Sequence, residues 1–150
     1  MKNIFNKKIT NEVINRIAQL TPTSQPSWGK MDVAEMLAHC CVAYEMIYTS
    51  KHPRPNVFVR MMLKTFVKKA VVNETLFAKN GRTAPQFIIT DEREFETEKK
   101  RLIAFIIKTQ ELGEQYFDGK ESHSFGKLST KEWNNSFYKH LEHHLTQFGV

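Results

Sequence analysis

The sequence is poor in the features that define membrane-spanning, secreted and low-complexity proteins. Among its 150 residues no uncharged run approaches the roughly 18 that a membrane-spanning helix needs, and no apolar core of signal-peptide length follows the first basic residues. Six glycines and five prolines are too few for a collagen-like or low-complexity chain. The two cysteines, Cys40 and Cys41, are adjacent and cannot cross-link distant segments. We therefore expect a cytoplasmic protein with neither a transmembrane segment nor a disulfide framework.

What the sequence does contain is the composition of one ordinary globular domain. Hydrophobic residues make up 41% and charged residues 25% of the chain, which are average values for folded proteins. We expect a single domain over residues 1–150. The 22 basic and 16 acidic residues give a net charge of +6, which favours anionic partners in general. Without a recognised nucleic-acid-binding module, no nucleic-acid partner is expected.

Helical signals dominate the chain. Capping boxes, in which a hydroxyl or acidic side chain precedes a glutamate by three positions, predict the starts of three helices. A shorter first helix is expected to be capped by Thr10, and no segment has a convincing strand pattern. The sequence therefore predicts an all-α four-helix bundle with an inserted helix around residues 57–72. The capping boxes are Asp32 with Glu35, Asp91 with Glu94, and Ser129 with Glu132.

The inserted helix has a basic line along one side. Arg60, Lys64 and Lys68 follow one another at intervals of four residues. The simpler interpretation is a solvated basic face whose apolar side packs on the protein. The alternative is a helix that docks on a membrane surface or on an acidic partner.

The last helix carries the feature that most indicates chemistry, a group of three histidines within five positions. At about 100° per residue, two of them project within the same sector of about 80° as three large aromatic residues. These two, His140 and His144, are four positions apart, which places their Cβ atoms about 5–6 Å from each other. The aromatic residues of the sector are Trp133, Phe137 and Phe148.

Two imidazoles on a core face need partners. A buried polar group without one costs about 1–3 kcal/mol, and a divalent ion satisfies the lone pairs of both rings at once. Hydrogen bonds to serine, threonine or the backbone are the alternative. A metal ion needs a third ligand, for which His39 is the natural choice because it is the only other histidine within a predicted helix. Three ligands leave coordination positions free for water or substrate, as in catalytic sites.

Other polar residues near these positions have alternative roles. His143 lies about 80° from the histidine stripe, and His123 lies in a turn where it either approaches the site or remains in solvent. His52 is expected to be exposed. Tyr44 and Cys40, within about a turn of His39, either face the same cavity or pack in the core.

The chain resembles the DinB-like superfamily of four-helix bundles, which includes the bacillithiol and mycothiol S-transferases, and is most similar to a subgroup of small bacterial proteins. The resemblance covers most of the chain in the expected order. In that superfamily one histidine of the second helix and two of the last helix bind a divalent metal, which implies His39, His140 and His144 as ligands. His143 and Gln147 match positions near the metal. The matching pieces are Trp28-Gly29-Lys30-Met31, Met36-Leu37-Ala38-His39, residues 79–87, residues 125–133 and residues 140–149.

The resemblance implies a metal-dependent enzyme. Characterised relatives activate a low-molecular-weight thiol, so we expect a thiol S-transferase or a hydrolase that activates a thiol or water at a three-histidine site holding zinc, nickel, iron or manganese. His143, Gln147, His123 and Tyr44 are candidates for supporting the ligands or contacting substrate. The expected partners are a small-molecule substrate and a second copy of the chain in a homodimer. The competing hypothesis is a non-catalytic binding module with a structural or vestigial metal site.

Overall fold

A computed structural model describes all 150 residues, which form six α-helices and two very short strands. This confirms the all-α prediction. Strands β1 and β2 pair antiparallel, with Glu121 opposite Lys127, in a turn-rich segment where the sequence showed no strand pattern. The elements are α1 (Lys7–Gln19), α2 (Val33–Tyr48), α3 (Val57–Phe66), α4 (Lys68–Val72), α5 (Phe95–Phe117), β1 (Glu121–Ser122), β2 (Gly126–Lys127) and α6 (Thr130–Gln147).

The capping boxes fix the helices that carry the candidate ligands. Asp32 and Ser129 each accept a hydrogen bond from the backbone of a glutamate three positions later, and each glutamate side chain accepts from the cap backbone in return. α2 and α6 therefore begin where the sequence predicted. The prediction of a capping box formed by Asp91 and Glu94 is wrong. Glu94 itself caps α5, because its carboxylate accepts from two backbone N–H groups of the first turn, while Asp91 pairs with Arg93.

The first helix begins earlier than predicted. Asn6, not Thr10, is its cap, because the Asn6 side chain accepts a hydrogen bond from the backbone N–H of Lys8. Thr10 lies inside α1, where its buried hydroxyl donates to the carbonyl of Ile4. This hydrogen bond ties α1 to the segment that precedes it and does not cap the first turn of the helix.

Residues 57–72, predicted to form one inserted helix, form two helices. α3 ends and α4 begins at Val67, whose φ of −107° and ψ of −38° remain in the right-handed helical region. α4 is held on α6 by the fully buried ammonium of Lys139, which donates to the carbonyls of Ala70 and Asn73 and to the Asn73 side chain. No residue of α3 is buried. The prediction that its apolar side packs on the protein is wrong, since Val57, Phe58, Met61, Met62 and Phe66 are all exposed.

α2 forms the centre of the core and packs against both α5 and α6. Its Tyr44 ring is stacked between Phe105 of α5 and Phe137 of α6, with ring centroids 5.8 and 5.1 Å away. One cluster of 24 buried hydrophobic residues includes members of α1, α2, α4, α5 and α6. None of the helices combines the length and the apolar composition that crossing a bilayer requires.

Candidate metal centre

Three imidazole rings converge between α2 and α6. Nε2 of His39 lies 2.9 Å from Nε2 of His140, and His144 completes a group whose ligand nitrogens all lie within 4.8 Å of one another. Two nitrogens bound to one tetrahedral zinc at about 2.1 Å are roughly 3.4 Å apart. The His39–His140 separation is somewhat shorter than this distance and none of the three exceeds 4.8 Å, so this group could hold a metal ion.

α6 presents its two rings from successive turns. His140 and His144 have ring centroids 4.9 Å apart, and the His39 ring lies 4.9 and 4.6 Å from them. This follows from a helical period of 3.6 residues, which places positions four apart on one face. His39 and His144 are buried, whereas His140 is partly exposed.

Hydrogen bonds orient His39 and fix which of its nitrogens carries the proton. Nδ1 of His39 lies 2.8 Å from the backbone carbonyl of Phe87. A carbonyl only accepts, so Nδ1 is the donor, and in the neutral ring Nε2 keeps its lone pair. That nitrogen points into the histidine group. Metal-binding histidines commonly have such a partner on the other ring nitrogen.

His144 is oriented through a side chain rather than the backbone. Its Nδ1 lies 2.8 Å from Oε1 of Gln147, and Nε2 of that glutamine donates to the carbonyl of Trp28 at 2.6 Å. Because the glutamine amide is committed as a donor to Trp28, its oxygen accepts from His144. Nε2 of His144 is thus also left with a free lone pair.

A glycine makes room for this arrangement. Gly29 has a φ of +84°, and a Cβ atom built on it would lie only 2.6 Å from Nε2 of Gln147. A larger residue would strain the backbone and displace the glutamine. The Trp28-Gly29 turn, Gln147 and His144 therefore act as one connected support.

Burial keeps the three rings in the form that binds metals. It lowers the pKa of His39, holds that of His140 well below its ordinary value, and lowers the pKa of His144 to about 3. Neighbouring imidazoles add to this effect because protonating one disfavours charge on the next. The rings are neutral at physiological pH, and neutral imidazole is the ligand form.

The group borders a cavity of about 320 Å³. Its lining contains no carboxylate and one guanidinium, that of Arg82, which forms no ion pair. His143 also lines it, between the rings of Trp28 and Phe77 at centroid distances of 5.9 and 5.8 Å. A positively charged, mostly apolar cavity beside neutral imidazoles suits a small anionic ligand. Arg82 was not singled out from the sequence, because a lone arginine in a loop carries no signal there.

The other candidate residues lie away from this group. His123 is buried under the 52–53 backbone, with Nε2 at 3.3 and 3.1 Å from the carbonyls of His52 and Pro53. It neither approaches the site nor remains in solvent. His52 is not exposed as predicted, since its ring is paired with Glu45 at 2.7 Å. Tyr44 and Cys40 are core residues outside the cavity lining.

The fold and the site together define an all-α protein with a three-histidine group that could hold a metal ion. A family model described as "Protein of unknown function (DUF1569)" matches residues 5–149. The chain therefore belongs to this family. No curated protein and no solved structure matches the chain.

Proposed function

We propose that this protein is a cytoplasmic, metal-dependent enzyme of the DinB-like superfamily that activates a thiol or a water molecule for transfer or hydrolysis. In this proposal α1, α2, α5 and α6 form the four-helix bundle, and α3 and α4 are the insertion. His39, His140 and His144 bind a divalent ion through Nε2. The resemblance supports this assignment because it implies one ligand from the second helix and two from the last.

The observation that carries the proposal is the orientation of the ligand nitrogens. Phe87 and Gln147 accept the Nδ1 protons of two rings, so the Nε2 lone pairs point to a common centre. Without an ion, a proton on Nε2 of His140 can satisfy only one of the other two Nε2 lone pairs, and the nitrogen it lies 2.9 Å from is that of His39. An ion would accept the lone pairs of all three rings.

The cavity gives such an ion an open side. An ion held by His39, His140 and His144 would stabilise the thiolate form of a thiol bound there, whose proton would pass to solvent. It would thereby favour attack of that sulfur on an electrophilic carbon with departure of the leaving group. The same ion would lower the pKa of a bound water and favour hydrolysis. Arg82 supplies positive charge in the cavity lining, which favours a substrate with an anionic group.

Metal analysis of protein purified without a histidine tag tests the ion. We expect near-stoichiometric zinc, nickel, iron or manganese in the wild type and its loss in His140→Ala. His123→Ala is the matched control, because it removes a histidine outside the group. A stable wild type that neither contains nor takes up metal would contradict the proposal.

Cobalt substitution tests the open position. Adding bacillithiol, mycothiol or glutathione to the Co²⁺ protein is expected to give a sulfur-to-cobalt charge-transfer band with at least one of these thiols. Arg82→Gln should weaken binding of the anionic thiol without changing the spectrum of the thiol-free Co²⁺ protein. A Co²⁺ spectrum that no thiol alters would favour hydrolysis or a closed site.

A binding module with a structural or vestigial metal site is the second candidate. The exposed apolar side of α3 favours it, because an uncovered hydrophobic surface of this kind commonly marks an interaction site. The open cavity beside the histidines supports the enzyme instead. A homodimer is proposed for either case, and sedimentation analysis of the purified protein tests it.

A further inference from the structure

Helix α3 has its apolar side turned outward. Val57, Phe58 and Phe66 are 84%, 66% and 71% exposed. Together with the exposed Met61 and Met62, they occupy one side of the helix at about 100° per residue. A surface helix normally buries its apolar side against the protein. The exposed apolar side of α3 therefore indicates that another molecule covers it.

Polar contacts explain why the other side faces the protein. Arg60 and Leu63 are the only residues of α3 that are partly buried. The Arg60 guanidinium is paired with Glu121 at 2.5 Å, and Lys68, at the start of α4, pairs with Glu132 at 2.8 Å. These ion pairs hold Arg60 and Lys68 against the β1 turn and α6, whereas Lys64, between them in the basic line, stays exposed. The apolar side is left in solvent.

The charge around this surface is of one sign. Residues 51–73 contain six lysines and arginines and no aspartate or glutamate. Lys64 and Lys69 form no ion pair, and Arg54 and Arg60 share the single carboxylate of Glu121. A second copy docked on α3 by twofold symmetry would bring the cations of the two copies together, and their mutual repulsion would oppose the dimer. Anionic lipid headgroups would instead complement them.

We propose that α3 lies in the interface of an anionic lipid bilayer, with Phe58, Met62 and Phe66 inserted among the acyl chains and Lys64 and Lys69 at the headgroups. A ten-residue helix is about 15 Å long, which suits a helix lying along the surface rather than across the bilayer. Val67 and Val71 line the cavity, so the docked segment borders the candidate metal centre. The proposal is independent of whether that centre holds metal.

Vesicle co-sedimentation of the full chain tests the proposal, with phosphatidylcholine vesicles that contain or lack phosphatidylglycerol. We expect binding about tenfold tighter to the anionic vesicles, weakened by high salt, because each lysine or arginine near such a surface contributes about 1 kcal/mol. Phe58→Ser with Phe66→Ser should reduce binding at least about tenfold through the loss of inserted apolar area. Lys64→Glu with Lys69→Glu should abolish the preference for anionic lipid.

Matched control variants distinguish binding through α3 from non-specific binding of the protein to vesicles. Ile107→Ser and Lys100→Glu change an exposed apolar and an exposed basic residue of α5 and should leave vesicle binding unchanged. Wild-type protein that does not bind anionic vesicles, or a Phe58/Phe66 variant that binds as well as wild type, overturns the proposal. A dimer that dissociates on the Phe58 and Phe66 substitutions, with no vesicle binding, would show that a second copy covers α3 and would also overturn it.

Discussion

Acid should destabilise the metal-free protein in a pH range where carboxylates contribute little. The pKa of His144 is lowered by burial to about 3 in the folded protein, against about 6.5 in the unfolded chain. The unfolded state therefore binds more protons between these values. The stability associated with the neutral ring is fully present above pH 6.5 and is lost as the pH falls toward the folded pKa.

The size of this effect follows from linkage. Between about pH 7.5 and pH 5.5, a ring that stays neutral when folded and protonates at about 6.5 when unfolded loses roughly 1.4 kcal/mol. His144 contributes that amount, and the partly exposed His140 contributes up to the same again, because its folded pKa is also well below 6.5. The two rings together account for about 2 kcal/mol of a total stability near 5–15 kcal/mol.

Urea unfolding followed by helical circular dichroism, with a chelator present, measures this loss. Wild type should lose about 2 kcal/mol more than a His140→Leu/His144→Leu variant between the two pH values. His39, His123 and His143, whose pKa values are also lowered, are present in both proteins and supply the remaining dependence. An equal loss in both proteins would refute the argument that these two rings stay neutral in the folded protein.

Three further perturbations test the support of the site and of the core. Gly29→Ala should weaken zinc affinity about 10–100-fold in a chelator competition, because its Cβ would displace Gln147. Gln147→Leu should do the same through the lost bond to His144, and an unchanged affinity would show that the ring needs no such partner. Arg101→Ala should cost about 2–3 kcal/mol in urea unfolding, because Glu45 and Glu98 are buried and lose a shared partner. Lys2→Ala, which breaks an exposed pair, should cost less than about 1 kcal/mol and serves as its control.

The rings of the histidine group could be predicted because their placement on each helix is a local property. His140 and His144 share a face of α6 through the helical period alone. The start of α6 is fixed by the capping box of Ser129, which is visible in the sequence. His39 could be proposed only as the remaining helical histidine, since its distance from α6 depends on how the helices pack. The structure supplies that distance as 2.9 Å between two Nε2 atoms.

The hydrogen bonds that orient the histidines also divide into local contacts, which the sequence can predict, and tertiary contacts, which it cannot. Gln147 follows His144 by three residues on one helix, so a contact between them is local. The carbonyl of Phe87 is a backbone atom 48 residues from its partner, and no side-chain pattern marks it. Arg82 likewise could not be identified as a cavity residue from the sequence, because exposed arginines are common in loops. Tertiary structure alone brings these groups to the cavity.

The orientation of α3 shows what a hydrophobic pattern cannot decide. Periodicity identifies an apolar side and a basic side, but it does not determine which one faces the protein. Ion pairs from Arg60 and Lys68 to Glu121 and Glu132 accompany the inward position of the basic side. Their carboxylates lie more than 60 residues along the chain. Burial of the apolar side would have forced those charges apart, so the fold leaves hydrophobic area in water.

The histidine group and α3 are thus two departures from the usual rule that polar groups face water and apolar groups face the core. Burying the rings of His39 and His144 is unfavourable without a partner for their lone pairs. Exposing two phenylalanines on one helix is unfavourable without a surface to cover them. Elsewhere one cluster of 24 hydrophobic residues is buried, and the buried Lys139, Glu45 and Glu98 have polar or charged partners. Such local violations are expected where a protein binds something. An ion bound by the histidine group would accept its lone pairs, and a lipid surface would cover the exposed side of α3.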